Sequence, residues 1–442
     1  MEGVGRARHG GLLPQRHGVV CVQARVPNRV LDAGREDGHA RGVNQAPSRW
    51  QIFLLGAFAA LILIPVTLPV PVLRALVQDR FAVSDIQTSW FMAINMVGAF
   101  LAAPVAGVLS DRLGRRKLLI VGALLVDAMC FWALTLDVSF PAFLAIRFVE
   151  GCAHITALSL LLTIAAKAAE VAGSGRIMGM VGAGITFGVA IGAPIGGAIG
   201  KGDALLPLYV GSVLLAAIAV AVAVALHDST ERRDRPSRGD IIRLARRERA
   251  LLAPLAYAFV DRFTVGFFTT IFPLYMKNVF ELPVDRIGMM LGLFLGPFAL
   301  LSYPFGRLAG RTSRTRMLAG GSLLYGCAVA TLGAWGPDGL PYLMVLLGVL
   351  SAVMFVPSLM LTTDLAASEI RSTALGGFNA AGSLGFIAGP VLGAVVSQTV
   401  ASRTDAQTGY ASAFVVAGFA EVCCVLLTLP LLGRLVKAGR TT

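Results

Sequence analysis

Charge is what this chain has least of: Asp, Glu, Lys and Arg make up 14% of its 442 residues, where a soluble domain carries about 25%. So few charged side chains cannot cover a water-exposed globule, which excludes an ordinary soluble enzyme or binding domain. Cysteine is also sparse. The six cysteines (Cys21, Cys130, Cys152, Cys327, Cys423 and Cys424) are scattered, and five fall in apolar runs. None has metal-ligand spacing, so they read as small packing residues and no metal site or disulfide framework is expected. The chain has no G-x-x-x-x-G-K-S/T phosphate loop, nucleophile elbow or dinucleotide fingerprint. ATP is thereby removed as an energy source, no enzyme is expected, and no cofactor is expected. Amides are rare in the apolar stretches, Asn95 and Asn379 being the clear ones. A sugar site needs several hydrogen-bonding side chains.

What fills the chain instead is apolar: 56% of the residues are hydrophobic, and the mean hydropathy is +0.75. From Trp50 onward, apolar runs long enough to cross a bilayer alternate with short polar breaks; a spanning helix needs about 20 residues. The pattern predicts an all-α membrane protein of twelve transmembrane helices, near 51–74, 86–109, 117–136, 140–166, 176–200, 205–226, 250–276, 285–306, 316–335, 340–363, 372–398 and 409–433. The first 49 residues hold eight arginines and no spanning run. They are expected to be a disordered cytosolic tail, with no apolar core of a cleavable leader. Residues 227–249 hold eight more arginines and divide the rest into six-helix sets at 50–226 and 250–435, with a short tail at 436–442. Ile241, Ile242 and Leu244 among those arginines read as a short amphipathic helix on an anionic leaflet.

The net charge of +13 resembles that of a nucleic-acid binder, but its placement argues otherwise. Thirty of the 38 Lys and Arg fall in the two tails and the even-numbered connections, against six in the odd-numbered ones. That is the positive-inside pattern, and it puts both termini in the cytosol and the protein in the cytoplasmic (inner) membrane, with no nucleic-acid partner.

Between the second and third segments stands the run Gly107, Asp111, Arg112, Gly114, Arg115, Arg116. Gly107 lets its helix approach a neighbour closely, Gly114 permits a tight reversal, and Asp111 can pair with an arginine or a helix N-terminus. The order closely resembles the loop signature G-x-x-x-D-R-x-G-R-R/K of the major facilitator superfamily. In the fourth segment, Arg147 and Gly151 resemble the same family's R-x-x-x-G motif. The fifth segment carries Gly184, Gly188, Gly192, Pro194, Gly196 and Gly197. It looks like the glycine-proline motif of drug:proton antiporters, with Ala193 where that motif has proline. A glycine every fourth residue is also what close helix packing alone demands.

The second half echoes the first. Gly306, Gly310 and Arg311 match Gly107, Asp111 and Arg112 at an offset of 199, with glycine replacing the aspartate. Gly385, Gly389 and Gly393, with Pro390, match Gly188, Gly192 and Gly196 at an offset of 197. Two structurally equivalent halves follow, with a substrate site between them near mid-membrane.

Ionisable groups inside spanning segments cost about 2.5–3.5 kcal/mol each on insertion scales, so they normally face a partner or a cavity. Arg147, Glu150 and His154 share one helical face at i, i+3 and i+7. They are candidates for proton or substrate handling; the alternative is an Arg147–Glu150 pair that solvates itself. Asp261 and Arg262 in the seventh segment are a second candidate pair, against a simple ion pair near the membrane face. Asp127 and Glu421 are weaker candidates, because the third and twelfth helices are peripheral in the family. The resemblance covers residues 50–435 and implies alternating access between two bundles, with the first, fourth, seventh and tenth helices lining the cavity. It implies a monomer in the lipid bilayer, with a small-molecule substrate and protons as its partners. Proton-coupled efflux of a lipophilic or amphipathic molecule is the expected function. A symporter or uniporter for an organic acid held by Arg147 and Arg262 is the alternative, and a non-transporting membrane sensor is the reading from another class.

Overall fold

The computed structural model describes the backbone of residues 48–113, 115–172, 176–226, 249–366 and 371–437, and the side chains of 48–106, 115–169, 177–226, 250–366 and 374–433. The basic stretches 1–47 and 227–248, the side chains of Gly107, Asp111, Arg112 and Gly114, and those of the C-terminal tail lie outside the described residues. Of the loop signature, Arg115 is exposed and Arg116 is buried at the start of its helix.

The described chain is helical throughout. Helix α1 (Arg49–Thr67) begins at a capping box, in which the Ser48 and Gln51 side chains each accept a hydrogen bond from the other residue's backbone N–H. It ends earlier than the predicted 74. Pro69 and Pro71 have no N–H to continue the ladder, and the chain passes through turns into a π-helical turn at Arg74–Asp79. There follow α2 (Asp85–Leu113), α3 (Arg116–Ala133), α4 (Phe140–Ala172), α5 (Arg176–Ile199), α6 (Leu206–Ala225), α7 (Leu252–Thr269), α8 (Ile271–Asn278), α9 (Val284–Ala309), α10 (Arg314–Ala330), α11 (Leu340–Leu365), α12 (Arg371–Ala401) and α13 (Ala406–Lys437). The α7 and α8 helices are one span broken at Thr270, whose backbone leaves helical geometry (φ −127°, ψ −61°). Pro273 lies four residues beyond Thr269 and cannot donate to its carbonyl, which accounts for the break.

The helices make twelve spans in two six-helix bundles. Eleven are long and apolar enough to cross a membrane; the twelfth, α3, carries Arg116, Lys117 and Asp127 within its 18 residues. In the first bundle α1 packs on α5, α2 on α4, and α3 on α4 and α6. The second repeats this with α7 on α12, α9 on α11, and α10 on α11 and α13. The bundles meet where α5 crosses α9 and α2 crosses α12.

The glycine runs set these distances. A Cβ on Gly184 or Gly188 would collide with the carbonyl oxygens of Gly56 and Ala60 on α1. Gly385 and Gly389 stand in the same relation to Phe259 and Phe263 on α7. Backbones this close admit no side chain between them. Ahead of α13, Asp405 accepts from the Thr408 N–H (3.0 Å) and hydroxyl (2.7 Å), and these bonds hold its carboxyl below the usual carboxylate range.

Three polar contacts among described residues join the two bundles at the end of the molecule where α1 leads into α2 and α5 into α6. Tyr410 donates to Asp85 (2.6 Å), Lys201 pairs with Asp285 (3.1 Å), and Arg74 donates to the Lys277 carbonyl (3.5 Å). Beside them Gly197 faces Gly288, and Pro194 covers Gly292.

Candidate functional site

The candidate residues of the first bundle form one buried cluster. Arg147 is 1% exposed. Its Nη1 lies 2.7 Å from Glu150 Oε2, its Nε donates to the Phe91 carbonyl at 3.4 Å, and its guanidinium sits 4.3 Å from the centre of the Phe91 ring. Glu150 Oε2 also accepts from the Asn95 amide on α2. One helical turn further along α4, His154 Nδ1 meets Asp127 Oδ2 on α3 at 2.9 Å. Asp127 Oδ1 and His154 Nε2 are buried with no partner. Ligand atoms of Asp127, Glu150 and His154 lie within 4.8 Å of one another.

The shared face of Arg147, Glu150 and His154 therefore exists, but it looks inward, towards α2 and α3. Arg147 is closed off from the space between the bundles, so it is not placed to bind a carboxylate there. Asp127 belongs with the cluster rather than at a lipid-facing periphery. Asn95 and Phe91 complete it; the sequence offered Asn95 as a rare buried amide, and nothing marked Phe91.

In the second bundle, neighbours in sequence differ in exposure. Asp261 is buried, with Oδ1 unpartnered, while the Arg262 side chain is 30% exposed and keeps its Nε 3.4 Å from Asp261 Oδ2. The guanidinium lies 4.9 Å from the Phe355 ring on α11 and 5.6 Å from the Phe386 ring on α12. Phe298 and Phe378 extend this aromatic group around Phe355. Both residues sit about 14 Å along α7 from its start, inside the apolar span Leu252–Asn278. Among the described residues, Arg262 is thus a partly exposed cation in the interior, flanked by ring faces and tethered to one carboxylate. Such a group can exchange its intramolecular partner for an anionic ligand.

Glu421 on α13 is wholly buried; its Oε2 accepts from Ser322 on α10, and its Oε1 lies 3.2 Å from the Thr264 hydroxyl on α7. The glycines and Pro194 of α5 and the matching residues of α12 do not enter either cluster. They serve the α1–α5, α5–α9 and α7–α12 contacts.

Comparison with known proteins bears on this architecture directly. The profile of the Major Facilitator Superfamily matches residues 52–261 and 255–441. The Thermus thermophilus protein named "Probable nitrate/nitrite antiporter NarK1" is 26% identical over 300 residues, 62% of this chain, and the chain spans 64% of that relative's length. The 3-(3-hydroxy-phenyl)propionate transporter of Escherichia coli (strain K12) is 24% identical over 352 residues, 78% of this chain and 86% of that one. Among solved structures, a bacterial homolog of the human lysosomal transporter Spinster superposes with a TM-score of 0.70 at 12% identity, over 88% of this chain and 96% of that one. The nucleoside transporter NupG superposes with a TM-score of 0.68 at 15% identity, over 86% and 98%. Two repeats of one six-helix plan, joined through α5–α9 and α2–α12 and matched by the profile over both halves, place the chain in the Major Facilitator Superfamily of membrane transporters.

Proposed function

We propose that this protein is a proton-coupled secondary transporter of small lipophilic organic anions, working by alternating access, with Arg262 as the anion-binding group. The observation that carries the reading is the exposure of Arg262 among Phe355 and Phe386 while Arg147 is sealed in its bundle. A guanidinium flanked by ring faces suits a carboxylate or comparable anion attached to an apolar body. Both relatives named above handle anions by their names, one nitrate and nitrite, the other a phenylpropionate. That supports the class of substrate without naming it.

Coupling follows from charge. An arriving anion competes with Asp261 for Arg262. An ionised Asp261 that loses its cation in a low-dielectric interior is strongly disfavoured unless it takes up a proton. Anion and proton then move together, which makes symport the direction this geometry favours. The Asp127, Glu150, His154 and Arg147 cluster serves the first bundle in the same currency: two carboxylates face one guanidinium, and a proton on His154 balances the set. In this reading the basic connections face the cytosol, and the bundles are closed at the outer end.

The test uses purified protein in liposomes with a trapped pH indicator. Benzoate and 3-phenylpropionate added outside are expected to carry protons inward faster than into protein-free liposomes, and Arg262→Ala is expected to remove most of that excess at low substrate concentration. Proton efflux on adding lipophilic cations would instead return the assignment to drug:proton antiport. An absence of proton movement above the protein-free background with either class would sink the coupling.

A further inference from the structure

We infer that the second bundle holds its own proton-binding site, the Glu421 carboxyl, enclosed by the hydroxyls of Thr264, Ser322 and Tyr325 beside Asp261. The site rests on the proton-coupled reading above and adds to it a group that lies off the cavity. Three geometric observations support it.

The first is a count of charge. The described side chains packed around Glu421 include one more carboxylate, Asp261 on α7, and no cation of their own. The bundle's interior cation, Arg262, is held by Asp261 at 3.4 Å. The other titratable groups facing Glu421 are Tyr257 from α7, Tyr325 from α10 and Cys424 on α13 itself. Between residues 374 and 401, α12 offers no charged residue at all. Two carboxyls against one guanidinium leave the island one positive charge short, and a single proton supplies it.

The second is the hydrogen-bond direction. A threonine hydroxyl has one proton. The Thr264 hydroxyl lies 3.1 Å from the Val260 carbonyl and 2.8 Å from the Asp261 carbonyl, and Glu421 Oε1 stands 3.2 Å from the same oxygen. All of these contacts are satisfied together when Glu421 Oε1 is the O–H donor, with Ser322 donating to Oε2.

The third is unused capacity. Tyr325 is wholly buried, its hydroxyl has the Thr264 hydroxyl within reach but no well-formed hydrogen bond, and it lies near Asp261 and Glu421. Asp261 Oδ1 is likewise buried and unpartnered. The Tyr325 hydroxyl and Asp261 Oδ1 therefore leave hydrogen-bonding capacity free beside Glu421. Glu421 takes up a proton from the side on which the anion enters and passes it to Asp261 when the anion displaces Arg262; when the anion leaves on the other side and Arg262 recaptures Asp261, the proton is released there.

Glu421→Gln keeps the oxygen and an N–H in place of the acid O–H, and cannot release a proton. Two readouts separate the site from the transport reading. In infrared difference spectra of purified protein titrated with hydroxide and no substrate, the loss of a buried carboxylic-acid band is expected in wild type and absent in Glu421→Gln. An identical band in both would overturn the assignment whether or not any anion is carried. In liposomes, each coupled proton raises substrate accumulation about tenfold per pH unit of gradient, and Glu421→Gln is expected to lose that factor. Accumulation equal to wild type would overturn it as well. If Glu421→Gln cannot be recovered from membranes, Tyr325→Phe takes its place, with a displaced midpoint of the band expected and an unmoved midpoint overturning the site.

Discussion

At the scale of single residues, the two arginines divide their work. Arg262 keeps its exposure and its ring faces, so its chemistry is planar and directional as well as charged. Arg262→Lys retains the charge but loses the flat guanidinium face and the two-pronged contact with a carboxylate. A hydrogen bond to a charged group is worth about 1.5–3 kcal/mol, so Arg262→Ala is expected to raise the apparent KM for an aromatic carboxylate by about ten- to a hundredfold, with Arg262→Lys in between. Initial uptake rates over a concentration series check this; equal KM values for wild type and Arg262→Ala would remove the arginine from the binding site. Arg147 is a different case. Its partner Glu150 pairs with it in a wholly buried setting, so Glu150→Gln leaves the guanidinium without its nearest carboxylate. That single change is expected to destabilise the fold by about 3–5 kcal/mol, while removing both charges in Arg147→Leu/Glu150→Gln restores most of the loss. Thermal unfolding of the detergent-solubilised variants reads both, and a double variant no more stable than the single would show that the pair is not the relevant unit.

At the scale of elements, the glycine runs make the sharpest demand. Phe259 and Phe263 on α7 present their carbonyls to Gly385 and Gly389 with no room for a Cβ. Gly385→Val must therefore separate α7 from α12 and pull the Asp261–Arg262 pair away from Phe386. The expected result is a sharp fall in the melting temperature and in recovered monodisperse protein. Gly376→Val, where a Cβ meets nothing within 4 Å, should be tolerated. Equal stability of the two would contradict the packing described. This is also the level at which sequence and structure agree best. Spans, glycine faces and the repeat at offsets of 197 to 199 are periodic, and periodicity is visible in one chain. What stayed hidden depends on rotation and on distant partners. Spacing alone put Arg147, Glu150 and His154 on a common face of α4, yet no spacing says that this face meets Asn95 and Asp127. Nor could it say that of Asp261 and Arg262, adjacent in the chain and paired at 3.4 Å, the acid is buried while the arginine keeps part of its side chain exposed. Glu421 looked peripheral because its helix is; the side of α13 that carries it packs on α7 and α10.

For the whole molecule, the question is which end is held shut and by how much. Three polar ties among described residues join the bundles at one end, and Tyr410 is the centre of the set. Its hydroxyl accepts from Asn278 at 2.7 Å and donates to Asp85 at 2.6 Å, so a single oxygen joins α13 and α8 of one bundle to α2 of the other. Gln78 completes the far side by donating to Asp85. The ring itself packs 5.5 Å from Tyr275 and does not depend on the hydroxyl. Tyr410→Phe therefore removes the tie while leaving the packing. Two hydrogen bonds contribute about 1–3 kcal/mol in net terms, and one to two kcal/mol shifts a two-state equilibrium by a factor of about 5 to 30. The variant is expected to populate the state open at this end. Spin labels at Asp203 and Glu281, exposed positions on opposite bundles at the same end, would read this as growth of a longer-distance population. Labels at the other end would report the complementary shortening if the two bundles rock as rigid bodies, since one interface cannot open without the other closing. A distance distribution unchanged by Tyr410→Phe would mean that Lys201–Asp285 and the Gly197–Gly288 contact hold the end shut without it. In that case Gly288→Leu, which forces a side chain against the Ala193 carbonyl and Gly197, is the change that should open it.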